Sequence, residues 1–519
     1  MLAKVLSHVV FGVDAFPVDV EVDVAGGSGQ KDVCNIVGLP DAAVKESKDR
    51  MRAALVNSGF YYPHGYITVN LAPADLRKEG PSLDLPIAVG VLAALNRVDS
   101  TLLRSSSLIG ELSLDGTVKP IPGVLPIALG ARANGTERVL VPAENAAEAG
   151  VVEGLDVIPV SSLAAAVGYL NGTEQILPHR VDLQQVFACT NNYAVDFADV
   201  RGQEGAKRAL EIAAAGGHNV LLIGPPGSGK TMLAKRLPTI LPTMSLDESI
   251  ETTKIHSIAG LVSARESLVA TRPFRSPHHT VSNIALIGGG TIPKPGEVSL
   301  AHNGVLFLDE MPEFGRQVLE VLRQPLEDGS VNISRAAMSL TFPCKFILVG
   351  SSNPCPCGYL TDTTRACMCL PQAIQKYRTR LSGPLLDRID LHVDVPAVPI
   401  RELSRSGTPG EPSTVIRDRV CAARERQRIR YTGLKGIHCN AHLGSREMKK
   451  FCQIKDDAQE QLENAMNLLG LSARAYDRII KVARTIADLS GTDAIETDHI
   501  AEAIGYRTLD RNAASEVPA

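Results

Sequence analysis

The sequence predicts a multidomain α/β protein that finishes in a helical domain. Length is the first reason: 519 residues, 44% of them hydrophobic, exceed what one ordinary core holds. The second is a set of short apolar runs, NVLLIG (219–224), GVLFLDE (304–310), KFILVGSSN (345–353) and DLHVDV (390–395), the pattern of parallel strands buried on both faces. The third is the change to helical periodicity from about residue 415.

Residues 1–172 read as a separate α/β domain. Strand-like VDVEVDV (18–24) and YITVNL (66–71) alternate with helical stretches such as LDLPIAVGVLAAL (83–95). A polar, weakly patterned stretch, 173–197, reads as a linker. The strand-rich core follows over 198–400, then the Gly/Pro/Ser-rich connector RELSRSGTPGEPST. Residues 410–510 form a helical domain, and 511–519 are expected to be a flexible tail.

Composition narrows the function classes. A formal net charge of −4 gives no global nucleic-acid signature, so any DNA contact must come from local basic patches. No run approaches the roughly 18–20 apolar residues of a membrane helix. His8 and Asp14 interrupt the N-terminal apolar stretch, so no signal peptide is expected and the location reads as cytoplasmic. Ten cysteines in so long a chain do not make a disulfide scaffold.

The chemistry begins at GPPGSGKT, which matches G-x-x-x-x-G-K-[ST] between a strand and a helix, as the motif requires. The expected nucleotide-binding residues are Gly224, Pro225, Pro226, Gly227, Ser228, Gly229, Lys230, Thr231 and Met232. Glycines let backbone N–H groups turn towards phosphate, and the helix N-terminus adds its dipole. Lys230 would reach the β and γ phosphates of ATP, and Thr231 would ligate Mg2+. VLFLDE supplies the carboxylates: Asp309 for the Mg2+ shell and Glu310 for the attacking water. Asn353, ending the next strand, offers an amide to orient that water.

The order GPPGSGKT, VLFLDE, VGSSN and SGPLLDRIDLHV resembles AAA+ ATPases of the magnesium-chelatase/MCM branch. The stretch RPFRSPHHTVSNIALIGGGTIPKPGEVSLAHNGVLFLDEMPEF (272–314) narrows this to the ComM/YifB-type magnesium-chelatase-like proteins. The resemblance implies that Asn353 is sensor 1, that Arg388 in LLDRID is an arginine finger reaching a neighbour's nucleotide, and that Arg474 in GLSARAYDR is sensor 2 on a helical lid. A finger acting in trans implies a ring, a hexamer. A local pair of Arg388 with Asp387 or Asp390 is the plainer alternative, and Arg474 is equally readable as a surface arginine.

The long insert of about 255–303 resembles a pore loop in this branch, and LEDGSVNISRAAMSLTF (326–342) reads as a hairpin with Asp-Gly at its turn. Arg275, His278, His279, Lys294 and Arg335 are the candidate DNA contacts, cations that would follow the phosphate backbone without reading sequence. Packing between subunits is the alternative use of these loops. The adjacent histidines lack further ligands for a metal site.

In the first domain, EGPSLDLPIAVGVLAAL (79–95) and IGELSLDGTVKPIPGVLPIAL (109–129) resemble the core motifs of the Lon protease domain, a ribosomal S5-like fold. The resemblance makes Ser82 the nucleophile, but Leu125 stands where that family has its lysine base, and Lys119 is a weak substitute. A serine without a base is a poor nucleophile, so the fold is expected without the peptidase.

Cys355, Cys357, Cys367 and Cys369 fall within fifteen positions as two C-x-C pairs nine residues apart. Four thiolates satisfy tetrahedral Zn2+, and a structural zinc is expected. Disulfides, a redox sensor and chance clustering are the alternatives.

For function, the resemblance implies an ATP-driven hexameric DNA helicase promoting branch migration of recombination intermediates in natural transformation, with room for a recombinase partner. The alternatives are a chelatase-type motor, a Lon-like protease and a protein-remodelling ATPase.

Overall fold

The computed structural model describes residues 1–26, 32–188, 193–264, 266–290, 293–335, 338–362, 365–398, 410–434, 436–507 and 509, with backbone only at Gly26, Ser100, Arg335 and Met338. The expected tail, 511–519, lies outside the described residues, as do most of the 401–414 connector and residues 189–192 of the linker. Two compact units form: Met1–Thr190 with Ser245–Ala270 and Ser334–Phe342, and Asn191–Met244 with Thr271–Ile333 and Pro343–Ala519.

The first unit holds β1 (Leu2–Phe11), β2 (Asp14–Gly26), β3 (Val33–Val37), β4 (Gly65–Ala72), β5 (Ser106–Leu108), β6 (Glu111–Leu112), β7 (Val118–Lys119), β8 (Arg138–Pro142) and β9 (Asp156–Val160). Seven of these make one mixed sheet in the order β3-β4-β2-β1-β5-β8-β9, and β6 pairs with β7 alone. The two-residue period of VDVEVDV puts Val18, Val20 and Val22 on one face, all fully buried. Against that face packs the helix Asp84–Ala94, while the helix Val124–Ala133 covers the opposite face, over Val10 and Ala15. The first is apolar almost all round, so it is buried almost all round.

Its N-terminal carboxylate, Asp84, has no exposure, and its partners make that tolerable. Arg50 donates to it at 2.6 and 3.0 Å, Leu112 N–H at 3.2 Å, and the Ser47 hydroxyl completes the shell. The helix Leu246–Ile258 opens on a Ser245/Glu248 capping box and packs on the helix Val124–Ala133. Gly123 N–H donates to Ser257 O at 3.1 Å, and Lys254 pairs with Asp14 at 2.7 Å. The segment Ser245–Ala270 thus groups with the N-terminal unit, although it lies inside the 198–400 stretch.

The second unit contains β10 (Val220–Ile223), β11 (Phe274–Arg275), β12 (Gly288–Gly289), β13 (Lys294–Pro295) and β14 (Val305–Leu308). β15 (Ser330–Arg335) pairs with β16 (Met338–Pro343), and residues Ser334–Phe342 of this pair group with the first unit; β17 (Ile347–Ser352) and β18 (Leu391–Asp394) complete the second unit's strands. The central sheet runs β11-β14-β17-β10-β18 with every pairing parallel. All four apolar runs read from the sequence become its buried strands. Parallel strands point their carboxyl ends the same way, so the loops after β10, β14 and β17 emerge at one edge. That edge carries the chemistry. Helices Ser413–Arg430, Ala473–Ser490 and Thr497–Gly505 close one face of the same core.

Candidate active site

The loop after β10 is shaped by its glycines. Gly227 and Gly229 have φ of 77° and 91°, a left-handed backbone that other residues enter at a cost. The helix Lys230–Ile240 begins directly behind them. Lys230 is buried, and its Nζ donates to the carbonyls of Gly224 and Pro225 at 2.8 and 2.9 Å and to Asn353 Oδ1 at 3.3 Å. Burial pushes its pKa down, and the nearby Asp309 and Glu310 carboxylates oppose that. Gly224, Pro225, Pro226, Ser228 and Met232 lie on the same loop and helix start, with Met232 partly exposed.

Thr231 Oγ1 donates to Asp309 Oδ2 at 2.9 Å, so the two expected magnesium ligands already adjoin each other. A hydroxyl and a carboxylate at one edge of a phosphate loop are the hard oxygen donors that Mg2+ takes, and the residues fit it. When bound, the ion neutralises charge developing on the phosphates. Glu310 is exposed and holds φ of 50°, a strained position for a residue with a side chain. Asn353 leaves β17 beside Lys230.

Two residues escaped the sequence reading. Ser351 is fully buried on β17; its Oγ donates to Asp309 Oδ1 at 2.5 Å and accepts from Glu310 N–H at 2.9 Å. Gln203 bridges the Ser228 and Pro396 carbonyls at 3.0 and 2.7 Å. Ser351 sits inside the VGSSN run but is not set apart there from Ser352, and Gln203 belongs to no motif. The register that pairs Leu308 with Gly350, and so sets Ser351 opposite Asp309, was the only signal.

The arginines are placed differently from one another. Arg388 is 7% exposed and bonds Glu327 and the Pro384 carbonyl within its own chain. Its flanking aspartates take other partners: Asp387 meets Arg474 at 3.4 Å, and Asp390 meets Arg478 at 2.9 Å. The local pair with Asp387 or Asp390 is therefore absent, and Glu327 supplies the counter-charge. Arg474 is 69% exposed on its helix.

Among the candidate DNA contacts, Arg275 is committed to Glu297 by a bidentate pair at 2.7 and 2.8 Å. His278 and His279 stand 4.1 Å apart by ring centroids, and His278 bonds Thr280 at 3.0 Å. Lys294 is exposed on the β12–β13 hairpin, with no ion pair among the described residues. The Arg335 side chain lies outside the described residues.

The four cysteines do converge: all four sulfurs lie within 4.8 Å of one another. Cys355, Cys357 and Cys367 are separated by 3.4, 3.6 and 3.6 Å. Tetrahedral zinc with its usual Zn–S length places sulfurs about 3.8 Å apart, whereas a disulfide needs about 2.05 Å. The donor set fits zinc. In the first unit, Ser82 Oγ makes no hydrogen bond among the described residues, Leu125 is fully buried and Lys119 is exposed.

Comparison with known proteins gives the family. Residues 196–403 match the family described as magnesium chelatase, subunit ChlI, residues 20–145 match subunit ChlI of Mg-chelatase, and residues 410–507 match the ChlI C-terminal family. The chain is 46% identical to competence protein ComM of Haemophilus influenzae and 44% identical to the uncharacterized protein YifB of Escherichia coli, each over 98% of both chains. It is also 27% identical to the magnesium-chelatase 38 kDa subunit of Rhodobacter capsulatus, over 30% of this chain and 50% of that one. On these family matches and end-to-end identities, the chain belongs to the ComM/YifB-type magnesium-chelatase-like AAA+ proteins.

Proposed function

We propose that the protein is an ATP-driven DNA translocase that works as a hexameric ring and promotes branch migration of recombination intermediates. The observation that supports this is the meeting of Lys230 with Asn353 and of Thr231 with Asp309, in a chain 46% identical over 98% of its length to a competence protein. Lys230 and the loop N–H groups hold the phosphates, and Asn353 orients a water on the γ-phosphorus. Glu310 takes its proton as the new P–O bond forms and the bond to the β-phosphate oxygen breaks. Arg388 of one subunit stabilises the transition state in the next, once released from Glu327, and Arg474 reads the nucleotide from the lid.

Lys294, His278 and His279, with Arg275 and Arg335, track the DNA backbone, and exposure of Lys294 supports its part in this. The four cysteines hold a structural zinc. The first unit is a Lon-protease-like fold without peptidase chemistry, a reading supported by the buried Leu125. A cytoplasmic location accords with these roles; among the described residues no helix is long and apolar enough to cross a membrane. The likeness to a magnesium-chelatase subunit favours one second reading, a chelatase-type or protein-remodelling motor without DNA activity.

The test is ATP turnover with and without single-stranded, duplex and forked DNA, with Lys230→Ala as control. DNA-stimulated turnover that the variant lacks supports the translocase. Turnover indifferent to every DNA would leave the motor and remove the DNA.

A further inference from the structure

The four-cysteine loop is tied to the phosphate loop as well as to itself. It leaves β17 immediately after Asn353, whose amide oxygen receives Lys230 at 3.3 Å. Five residues on, Gly358 N–H donates to Cys355 O at 3.0 Å and closes a turn. Gly358 has φ of 85°, and a Cβ there would lie 2.5 Å from Cδ and 2.7 Å from Cγ of Pro226. The turn therefore rests directly on the phosphate loop, and only a glycine lets it come that close. Segment 353–358 grips the nucleotide loop at two points, the lysine and the proline.

Besides the sulfurs, the turn is held by buried Pro354, by the Gly358–Cys355 hydrogen bond and by the seat of Gly358 on Pro226. Cys355 is fully buried, but Cys357, Cys367 and Cys369 are half-buried, and Met368 and Leu370 are 92% and 73% exposed. The loop has almost no apolar core of its own, and where a core is missing a bound metal supplies the folding energy.

We propose that the four-cysteine metal site is a brace for the nucleotide pocket: a thiophilic divalent cation, zinc, bound by Cys355, Cys357, Cys367 and Cys369 holds the 354–358 turn on Pro226 and Asn353 beside Lys230. This rests on the zinc reading above. Loss of the metal frees the turn, loosens the phosphate loop and weakens ATP binding while the rest of the unit stays folded.

The test uses the full chain purified without chelator. Zinc is counted by mass spectrometry, affinity is measured with a fluorescent ATP analogue, and thermal unfolding is followed by circular dichroism. Metal removal by chelator, Cys367→Ser with Cys369→Ser, and Gly358→Val are compared with the exposed control Met368→Ala. One zinc per wild-type chain is expected. Chelation, the double serine variant and Gly358→Val should each weaken nucleotide binding about tenfold or more, equivalent to about 1.4 kcal/mol. Gly358→Val keeps its zinc, the control keeps everything, and the main unfolding transition survives throughout. Absence of zinc overturns the metal reading and the brace with it. Zinc bound but nucleotide affinity within twofold on its removal, and in Gly358→Val, overturns the brace alone. Collapse of the whole unfolding transition on chelation also overturns it, since the metal would then serve the fold at large.

Discussion

Replacing Ser351 with alanine removes one hydroxyl that holds both acids of the ATP site. Its Oγ donates to Asp309 at 2.5 Å and accepts from Glu310 N–H at 2.9 Å. Hydrogen bonds to charged groups contribute about 1.5–3 kcal/mol. Asp309 is only half-buried, so water recovers part of this for the free carboxylate. Glu310 adds a second cost: with φ of 50° it persists where neighbours over-determine it, and the variant leaves its N–H with the 3.1 Å bond to Asp309 Oδ1 alone. The net loss is about 1–2 kcal/mol in the transition state, a fall in kcat of about 5- to 30-fold. Lys230 and the phosphate loop are untouched, so KM for ATP stays put. Steady-state ATP hydrolysis, with melting curves to show that the variant folds, reads both constants. A kcat within twofold of wild type, or an effect carried by KM, would refute the reasoning that Ser351 positions the acid pair.

Other expected outcomes follow from buried groups. His8 is fully buried, bonding Ser107 Oγ at 2.9 Å and receiving Asn134 Nδ2 at 3.3 Å, and burial brings its pKa down to about 4. The unfolded chain then binds the proton first, so stability is complete above pH 6.5 and falls as pH drops from 6.5 to 4, by roughly 3 kcal/mol. Urea titrations across that range should show the loss in wild type and not in His8→Gln. Asp84→Ala strips Arg50, Ser47 and Leu112 of their shared acceptor and should cost about 3 kcal/mol, read as an earlier chemical unfolding of the first unit. Asp390 is held well below the usual carboxylate range: burial would raise it, but Arg478 and the bonded His218 outweigh that. Its contribution is full above about pH 4 and is lost below it, and Asp390→Asn should remove that acid limb of the second unit's unfolding. Arg388→Ala should cut turnover of the assembled protein by about a thousandfold and leave ATP affinity intact. Retained turnover with a lowered melting temperature would instead assign Arg388 to its contacts with Glu327 and Pro384.

What the sequence made legible were features written in consecutive residues. The phosphate loop, the Asp309–Glu310 pair and Asn353 each end an apolar run. Strand, turn and chemistry are thus encoded together, and the parallel order follows from runs buried on both faces. The cysteine spacing was equally local, and the sulfurs do meet. The illegible features depend on pairing across distance. Ser351 matters because of its register with β14. Arg388 turns to Glu327, sixty-one residues earlier, because Asp387 and Asp390 are drawn to Arg474 and Arg478 on a later helix. The helix Leu246–Ile258 announces its start through the Ser245/Glu248 capping box, and nothing in that signal says which unit it joins. The contact of Gly358 with Pro226 joins two loops whose closeness exists only in the fold.

The central claim, that ATP hydrolysis at this site moves DNA junctions, is tested most directly by following a labelled three-strand branched DNA through time with the full-length protein. The account predicts that strands exchange when ATP is supplied. It also predicts that ADP, Lys230→Ala and Glu310→Gln each stop the exchange without preventing DNA binding. ATP hydrolysed at its normal rate while the junction stays where it began would contradict it.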